Sequence, residues 1–114
     1  MIAAADGLVA SVNRAFSELT GWSREEVVGQ PEAQIRNALQ PAGFYDEIYA
    51  TVDRAGYWSG STWAKKKGGA LYREWRSIRA VRDAAGSVTH YVQVFYDAGA
   101  PKPGIDSTNP NLRG

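Results

Sequence analysis

YWSGSTWAKKKGGALYREWRSIRAVRDAAGSVTHYVQVFYD, residues 57–97, is the segment that decides the fold. It contains three runs rich in aromatic and β-branched residues, and two short glycine-containing pieces separate them: 57–66, 70–82 and 87–97, with 67–69 and 83–86 between them. Such runs, bounded by such turns, are typical of strands joined as hairpins. We therefore predict three consecutive antiparallel strands.

A further hairpin is predicted at the start of the chain. Residues 2–5 and 8–12 are short apolar runs on either side of Asp6-Gly7, a dipeptide typical of two-residue hairpin turns. Because the first strand begins almost at residue 1, we expect this domain to be part of a longer protein.

Two short helices are predicted after this hairpin. Asn13 can cap the first helix through its side-chain oxygen, and Gly21 suits the left-handed position that ends it. Ser23 and Glu26 have the spacing of a capping box, which predicts the start of a second helix that ends at Gly29.

The next segment is predicted to be a loop followed by a longer helix. Residues 30–42 form the loop, with one helical turn near 34–38, and Pro41 can start the long helix, which Gly56 ends. Large apolar residues recur in it at helical spacing: Phe44, Tyr45, Ile48, Tyr49 and Val52. Strands, then helices, then hairpin-linked strands predict an α+β fold on an antiparallel sheet.

Composition narrows the function classes. The 114 residues are enough for one domain, and 44% hydrophobic with 22% charged residues is typical of a globular chain. The net charge of +1 argues against a dedicated nucleic-acid or membrane-surface binder. With no cysteine and one histidine, the chain offers no thiolate chemistry and little basis for a metal cluster or a catalytic triad.

The order of these pieces, and the residues at their joints, resemble a PAS domain of the sensory-box type. The resemblance runs from residue 2 to residue 97 and is carried by seven short stretches: Asp6-Gly7, residues 12–16, residues 19–29, Trp58-Ser59-Gly60, residues 65–69, residues 78–83 and residues 88–97. The subgroup is similar to bacterial modules of two-component histidine kinases and of diguanylate cyclase or cyclic-di-GMP phosphodiesterase proteins.

The resemblance implies a PAS fold, a five-stranded antiparallel sheet with helices packed on one face, over residues 1–97. Residues 98–114, rich in Pro, Gly, Asn and Ser, are predicted to be a linker or an added tail. The family implies a cytoplasmic module that senses or dimerises and has no catalysis of its own. It acts on an effector domain covalently attached in the full-length protein.

Cofactor expectations follow from where the chain departs from relatives. Light-sensing relatives need a cysteine in the loop helix, and residues 34–39 contain none. Haem-binding relatives use a histidine on the long helix. The long helix of this chain has no histidine, so haem is not expected. Flavin-binding redox relatives usually carry Asn-Pro and a helical Trp where Gln30-Pro31 and Tyr49 stand here. A flavin is therefore an alternative, not the favoured ligand.

Alternation along the strands predicts two faces for the sheet. The resemblance to the PAS family implies which face meets the helices, and that face, together with the long helix, supplies the ligand-pocket candidates: Trp58, Thr62, Tyr72, Glu74, Arg76, Tyr91, Gln93, Phe95 and Tyr49. Gly60, Ala64 and Ile78 share this inward face. The opposite face supplies the dimer-interface candidates: Trp63, Trp75, Val92, Val94 and Tyr96.

The inward face leaves two alternatives open at each of two places. Arg76 either forms an internal ion pair with Glu74 or extends its guanidinium to solvent, which together are the favoured interpretation, or it binds an anionic small molecule, since a guanidinium can bind a carboxylate with two hydrogen bonds. The inward aromatic residues either fill the core, again the favoured reading, or line a pocket for a flat ligand.

The outward candidates predict a homodimer. Antiparallel strands can bring Trp63 and Trp75 together as a cross-strand pair, and with their neighbours they would form an apolar stripe. Monomers seldom leave such a stripe bare. We expect a second copy of the chain, or the tail, to cover it.

Two other features are interpreted as structural. The run Lys65-Lys66-Lys67 lies at a predicted hairpin tip, where charge is usually solvated, so we expect no nucleic-acid partner. His90 stands alone, and we expect no metal there. The sequence thus predicts a sensory or dimerisation module that binds a small ligand or partner. The alternatives are a ligand-independent interaction module and a flavin-binding redox sensor.

Overall fold

The computed structural model describes residues 1–36 and 43–99. Nine elements follow one another along the chain: β1 (Ile2–Ala4), β2 (Val9–Ser11), α1 (Arg14–Thr20), α2 (Arg24–Val27), α3 (Glu32–Arg36), α4 (Phe44–Ala55), β3 (Tyr57–Lys65), β4 (Leu71–Arg82) and β5 (Val88–Asp97). The predicted alternation of strands, helices and strands is confirmed. Pro41 and most of the predicted tail lie outside the described residues.

The strands form one five-stranded sheet in the order β2-β1-β5-β4-β3, and neighbouring strands are antiparallel. The short N-terminal hairpin pairs with the last strand, since Ile2, Ala3 and Ala4 lie opposite Val92, Tyr91 and His90. The two ends of the domain are therefore joined through β1 and β5. The predicted α+β architecture on an antiparallel sheet is confirmed.

The predicted helix caps are present. Asn13 Oδ1 accepts a hydrogen bond of 2.9 Å from the Phe16 amide, and Gly21 ends α1 at φ 81°, in the left-handed region that favours glycine. Ser23 and Glu26 form the reciprocal capping box at the start of α2. Local side-chain hydrogen bonds thus set the first two helix starts.

Long-range backbone bonds shift two of the predicted boundaries. The α2 helix ends at Val27, and the chain then leaves the helix because Gly29 N donates to Val9 O (2.8 Å) and Val9 N donates to Gln30 O (2.9 Å). The helical turn predicted near residue 34 is α3, which begins at Glu32. Pairing with β2 decides the first position, and the bond from the Glu32 amide to Gly7 O in the β1–β2 turn decides the second; local sequence encodes neither.

The predicted faces of the late strands are confirmed by burial and register. Along β4, Tyr72, Glu74, Arg76 and Ile78 are buried, and the residues between them are more exposed. Ile78 is fully buried beneath α4, in contact with a cluster that includes Ile48, Val52 and Tyr91. A second cluster, around Phe16 and Val27, lies under the shorter helices.

Gly60 is required by the packing of its neighbour on the same face. The Trp58 indole folds over Gly60, so that a Cβ atom added there would lie 2.8 Å from Trp58 Cζ2 and 3.0 Å from Cη2. Real Cβ atoms do not approach that closely, and the rigid indole would have to move.

We expect Gly60→Ala to lower the free energy of unfolding by about 1–3 kcal/mol, the usual cost of overpacking a filled interior. Urea denaturation measures this difference. Gly68→Ala is the matched control, because an added Cβ there meets nothing within 4 Å, and a change of about 0.5 kcal/mol or less is expected. Equal stability of the two variants would contradict the packing of Trp58 over Gly60.

Candidate functional site

A cavity of about 310 Å³ lies between the β1–β2 turn, the start of α3, the α4 helix and the inward face of β4 and β5. This volume is at the lower end of the range for small-molecule sites, roughly 300–1,000 Å³. The lining residues are Ala5, Asp6, Gly7, Pro31, Glu32, Ala33, Tyr45, Tyr49, Arg76 and Tyr91.

Two backbone connections position one wall of this cavity. Leu8 pairs with Pro31 as an isolated β-bridge, and the Glu32 amide donates to Gly7 O at 2.8 Å, so the first turn of α3 is held against the β1–β2 turn. Tyr45 and Tyr49 are four residues apart on α4 and therefore share one face of that helix.

Arg76 is the most unusual side chain of the wall. Its side chain is 1% exposed, yet Nε, Nη1 and Nη2 form no hydrogen bond among the described residues. The guanidinium carbon lies 5.1 Å from the centre of the Tyr45 ring and 4.9 Å from that of Phe95. These rings offer cation–π contacts, but they accept none of the guanidinium N–H bonds in its own plane.

Two buried carboxylates balance the charge of Arg76. Nε lies 3.5 Å from Glu74 Oε1, and Nη1 lies 3.9 Å from Glu32 Oε1. Both separations exceed ordinary hydrogen-bond lengths, so the pairs are electrostatic contacts. With two ionised carboxylates and one guanidinium, the group carries a formal charge of −1. The predicted Glu74–Arg76 ion pair is present, and Glu32 is a second partner.

Hydrogen bonds connect these carboxylates to three elements. Tyr49 OH donates to Glu32 Oε2 at 2.5 Å, and Gln93 Nε2 donates both to Glu32 Oε2 and to the Tyr49 hydroxyl at 2.8 Å. Tyr72 OH donates to Glu74 Oε2. The bonds among Glu32, Tyr49 and Gln93 therefore link α3, α4 and β5 beside the cavity, whereas the bond from Tyr72 to Glu74 lies within β4.

The phenols of the wall are held in their protonated, donating form. Burial, reinforced by the charge of Glu32, raises the pKa of Tyr49 well above its usual value of 10. Burial, with the hydrogen bond of 2.6 Å to Asp53 Oδ1, raises the pKa of Tyr91 to about 12. Both side chains are therefore neutral hydrogen-bond donors near neutral pH.

The structure divides the nine pocket candidates into two groups. Tyr49, Arg76 and Tyr91 line the cavity. The others lie on the same inward side of the sheet but outside the cavity wall: Trp58, Thr62, Tyr72, Glu74, Gln93 and Phe95. Among them, Gln93 and Glu74 reach the wall through contacts to Glu32 and Arg76.

Sequence reasoning missed Glu32 and Tyr45 as site residues. Glu32 falls in a segment predicted to be a loop, and nothing local signals that its carboxylate is buried. Tyr45 belongs to the helical pattern of apolar residues, a signal that could have placed it beside Tyr49, four residues later.

The outward face carries exposed apolar side chains, as predicted. Trp63 is 50% exposed and Val94 is 51% exposed. Trp63 lies opposite Arg73, whereas Trp75 lies opposite Ser61, so the two tryptophans are diagonal neighbours. The remaining candidates are also on this face: Val92 is exposed, and Trp75 and Tyr96 stack with ring centres 6.5 Å apart.

One residue of the lysine run, Lys67, contacts the first two helices. Lys67 contacts the Glu26 carboxylate and lies 5.5 Å from the centre of the Trp22 ring, and its amide donates to Thr20 O at 2.8 Å. This contact, with the cap at Ser23, lowers the pKa of Glu26 to about 2. Lys67 therefore ties the β3–β4 turn to the first two helices.

The described ranges, 1–36 and 43–99, contain no group of three or more His, Asp or Glu side chains arranged to hold a metal ion, and His90 is exposed on β5. In the same ranges no helix has both the length and the apolar character needed to cross a membrane.

Comparison with known proteins gives the family. The family model described as PAS fold matches residues 1–59, just over half of the 114 residues. The chain belongs to the PAS family, and its fold is that of a signal-sensing module.

Solved structures share this fold at low sequence identity. A PAS domain from Colwellia psychrerythraea has a TM-score of 0.78 and 18% identity, covering 84% of this chain and 81% of that one. The light state of the blue-light photoreceptor Aureochrome1 LOV has a TM-score of 0.74 and 20% identity, covering 85% and 78%. A light-oxygen-voltage domain studied with a flavin analogue has a TM-score of 0.73 and 19% identity, covering 85% and 74%.

Proposed function

We propose that this chain is a sensory PAS module that binds a small molecule in its cavity and relays the change to an effector domain of the same polypeptide. The observation that carries the proposal is Arg76, a buried guanidinium at the cavity wall whose nitrogens form no hydrogen bond among the described residues. Burying polar N–H groups without acceptors is costly. A ligand with acceptor atoms offsets that cost.

The relay follows from the position of Gln93. Its amide holds Glu32 and Tyr49 at the cavity, while its neighbours Val92 and Val94 point to the opposite face. A ligand that binds better to one arrangement of this network shifts the population toward it. The shift reaches the outward face and the end of β5 near Asp97.

Mass spectrometry of material released by denaturing the freshly purified chain tests ligand binding. We expect a small molecule in stoichiometric amount, or a thermal shift on adding one, with no flavin or haem band in the absorbance spectrum. A chain that releases nothing, and whose melting temperature responds to no added small molecule, would instead be the ligand-independent interaction module.

The flavin-binding redox sensor is the second alternative, and the described residues do not favour it. The cavity is at the small end of the ligand-site range, and the neighbouring core is filled by Trp58 over Gly60 and by Arg76 between Tyr45 and Phe95. A one- or two-ring molecule fits this space better than a three-ring isoalloxazine with its ribityl chain. A flavin absorbance band in the purified protein would reverse this preference.

A homodimer through the outward face is part of the same proposal. The half-exposed Trp63 and Val94 lie on the outward side of β3, β4 and β5, a face that has no acidic residue and carries Arg73 and Arg79 beside its apolar side chains. Association of two such faces removes apolar area from water.

We expect Val94→Lys to convert the dimer to a monomer, measured by light scattering after size exclusion. Val28→Lys is the matched control, since Val28 is an exposed valine at the end of α2, away from the sheet face. A wild-type chain that stays monomeric at high concentration would rule out this interface.

The cellular setting completes the proposal. We place the module in the cytoplasm, as a non-catalytic domain of a bacterial histidine kinase or cyclic-di-GMP enzyme. This placement is supported by membership of the PAS family and by the residues between the secondary-structure elements, which resemble those of bacterial signalling modules. Fusing the domain to a kinase or cyclase output and measuring that output with and without ligand tests the relay.

A further inference from the structure

We propose that the cavity selects an uncharged ligand with a carboxamide-type edge, a carbonyl oxygen beside an N–H, carried on a one- or two-ring apolar body. This inference rests on the proposed function, because it names the chemistry of the molecule that the cavity binds. It is argued from the hydrogen-bonding groups and charges of the cavity wall.

The first requirement is an acceptor in the plane of the Arg76 guanidinium. The Tyr45 and Phe95 rings pack against it, with ring centres 5.1 and 4.9 Å from Cζ. Its N–H bonds point along the plane, and none finds a hydrogen-bond acceptor among the described residues. Each nitrogen exposes less than 1 Å² of surface, so a ligand reaches the guanidinium only after it turns toward the cavity, and the ligand must then present a lone pair edge-on, as a carbonyl oxygen does.

The second requirement is a donor for Glu32. Glu32 Oε2 already accepts hydrogen bonds from Tyr49 and Gln93, whereas Oε1 accepts none from the described part of the chain. Oε1 lies 3.9 Å from Arg76 Nη1, beyond hydrogen-bond range. Glu32 Oε1 is an acceptor and Arg76 Nη1 beside it is a donor. Together they match the N–H and the C=O of one amide edge.

The third requirement concerns charge. Glu32, Glu74 and Arg76 together carry −1 when ionised, and Asp6 on the cavity lining adds a further negative charge. A carboxylate ligand would bring another negative charge into a poorly solvated site. A cationic ligand would leave Arg76 without acceptors. An uncharged amide satisfies both partners and leaves the charge unchanged.

The body of the ligand is set by the remaining wall. The rings of Tyr49 and Tyr91 meet edge to face with centres 4.8 Å apart, and Tyr45 lies on the same helix face as Tyr49. These aromatic surfaces and a volume of about 310 Å³ suit a small flat apolar body.

Calorimetric titration of the wild-type chain with four matched probes tests the inference. Benzamide carries the full edge, methyl benzoate has the carbonyl without N–H, benzoate is the anion and benzylamine is the cation. We expect benzamide to bind about tenfold or more tightly than each of the others, because each of them lacks a hydrogen bond or carries a charge.

The variant Glu32→Gln tests the charge argument separately. It removes one negative charge, so benzoate should gain affinity relative to benzamide, while Glu47→Gln on the exposed side of α4 should leave the ratio unchanged. Circular dichroism checks that the variant folds, and if it does not, the four-probe titration of the wild-type chain still decides.

Each outcome of the titration decides one question. Tightest binding of benzoate, benzylamine or methyl benzoate overturns the ligand class but leaves a ligand-binding module. If all four fail at millimolar concentration while denaturation releases a bound molecule, again only the ligand class is overturned. If all four fail and nothing is released, the proposed function fails as well.

Discussion

Replacing Arg76 with Met is expected to lower the free energy of unfolding by about 3–5 kcal/mol, the usual cost of breaking a buried ion pair by removing one partner. Glu74 and Glu32 would lose the guanidinium that lies 3.5 and 3.9 Å from their Oε1 atoms in a buried site. The mutual repulsion of these carboxylates adds to the loss of solvation. Urea denaturation, followed by circular dichroism, measures the difference.

Arg79→Met is the matched control for this prediction. Arg79 lies three residues further along β4 on the opposite face, exposed and 5.4 Å from the centre of the Tyr57 ring. Exposed contacts of this kind contribute little, so a loss of about 1 kcal/mol or less is expected. If the two variants were equally stable, the buried charge cluster would not have the role assigned to it.

A second replacement separates charge from packing. Glu74→Leu on the Arg76→Met background removes one of the two carboxylates that the first change leaves beside the lost guanidinium. Because a buried ion pair exchanged for apolar side chains is often neutral or stabilising, the double variant should regain part of the lost stability. Further loss in the double variant would show that shape, rather than charge, governs this site.

Replacing Ile78 with Ala is expected to destabilise the fold by about 2–5 kcal/mol. Ile78 is fully buried, with Trp58 opposite it on β3 and Gln93 opposite it on β5, and it packs against Val52 on α4. The change removes apolar contacts and leaves a cavity that the surrounding sheet and helix can only partly fill. Urea denaturation again provides the measurement.

The control for Ile78 lies on the same strand and on the other face. Val81 is 42% exposed, and Val81→Ala should change stability by about 0.5 kcal/mol. The pair of variants therefore tests which face of β4 is inside. A larger loss for Val81→Ala than for Ile78→Ala would mean that the faces are exchanged.

The local parts of the fold were predictable because their causes are local. The side chains of Asn13 and Ser23 bond to backbone amides three residues away, and Gly21 and Gly56 end helices in a conformation that favours glycine. Alternation along β4 divided its residues into two faces, and the resemblance to the PAS family indicated which face meets the helices. Apart from that assignment, each inference needed only neighbours along the chain.

The candidate site was only partly predictable. Tyr49, Arg76 and Tyr91 were found from the strand and helix patterns, which assign a face to each residue. Glu32 was not, because its position depends on the bond between its amide and Gly7 O, which joins segments that no periodicity relates. The end of α2 was shifted by the same kind of pairing, between Gly29 and Val9.

By itself, the amino-acid sequence determined the elements of this PAS domain, the hairpin turns and the inward and outward faces of the late strands. Periodicity, capping and turn chemistry act over a few residues, so the printed order of residues contains them. Only the tertiary structure decided that Glu32 and Tyr45 meet Arg76 at one cavity and that the guanidinium has carboxylates beside it but no hydrogen-bond acceptor among the described residues. Those relations depend on distances between segments far apart in the chain, which are set when the helices pack onto the sheet.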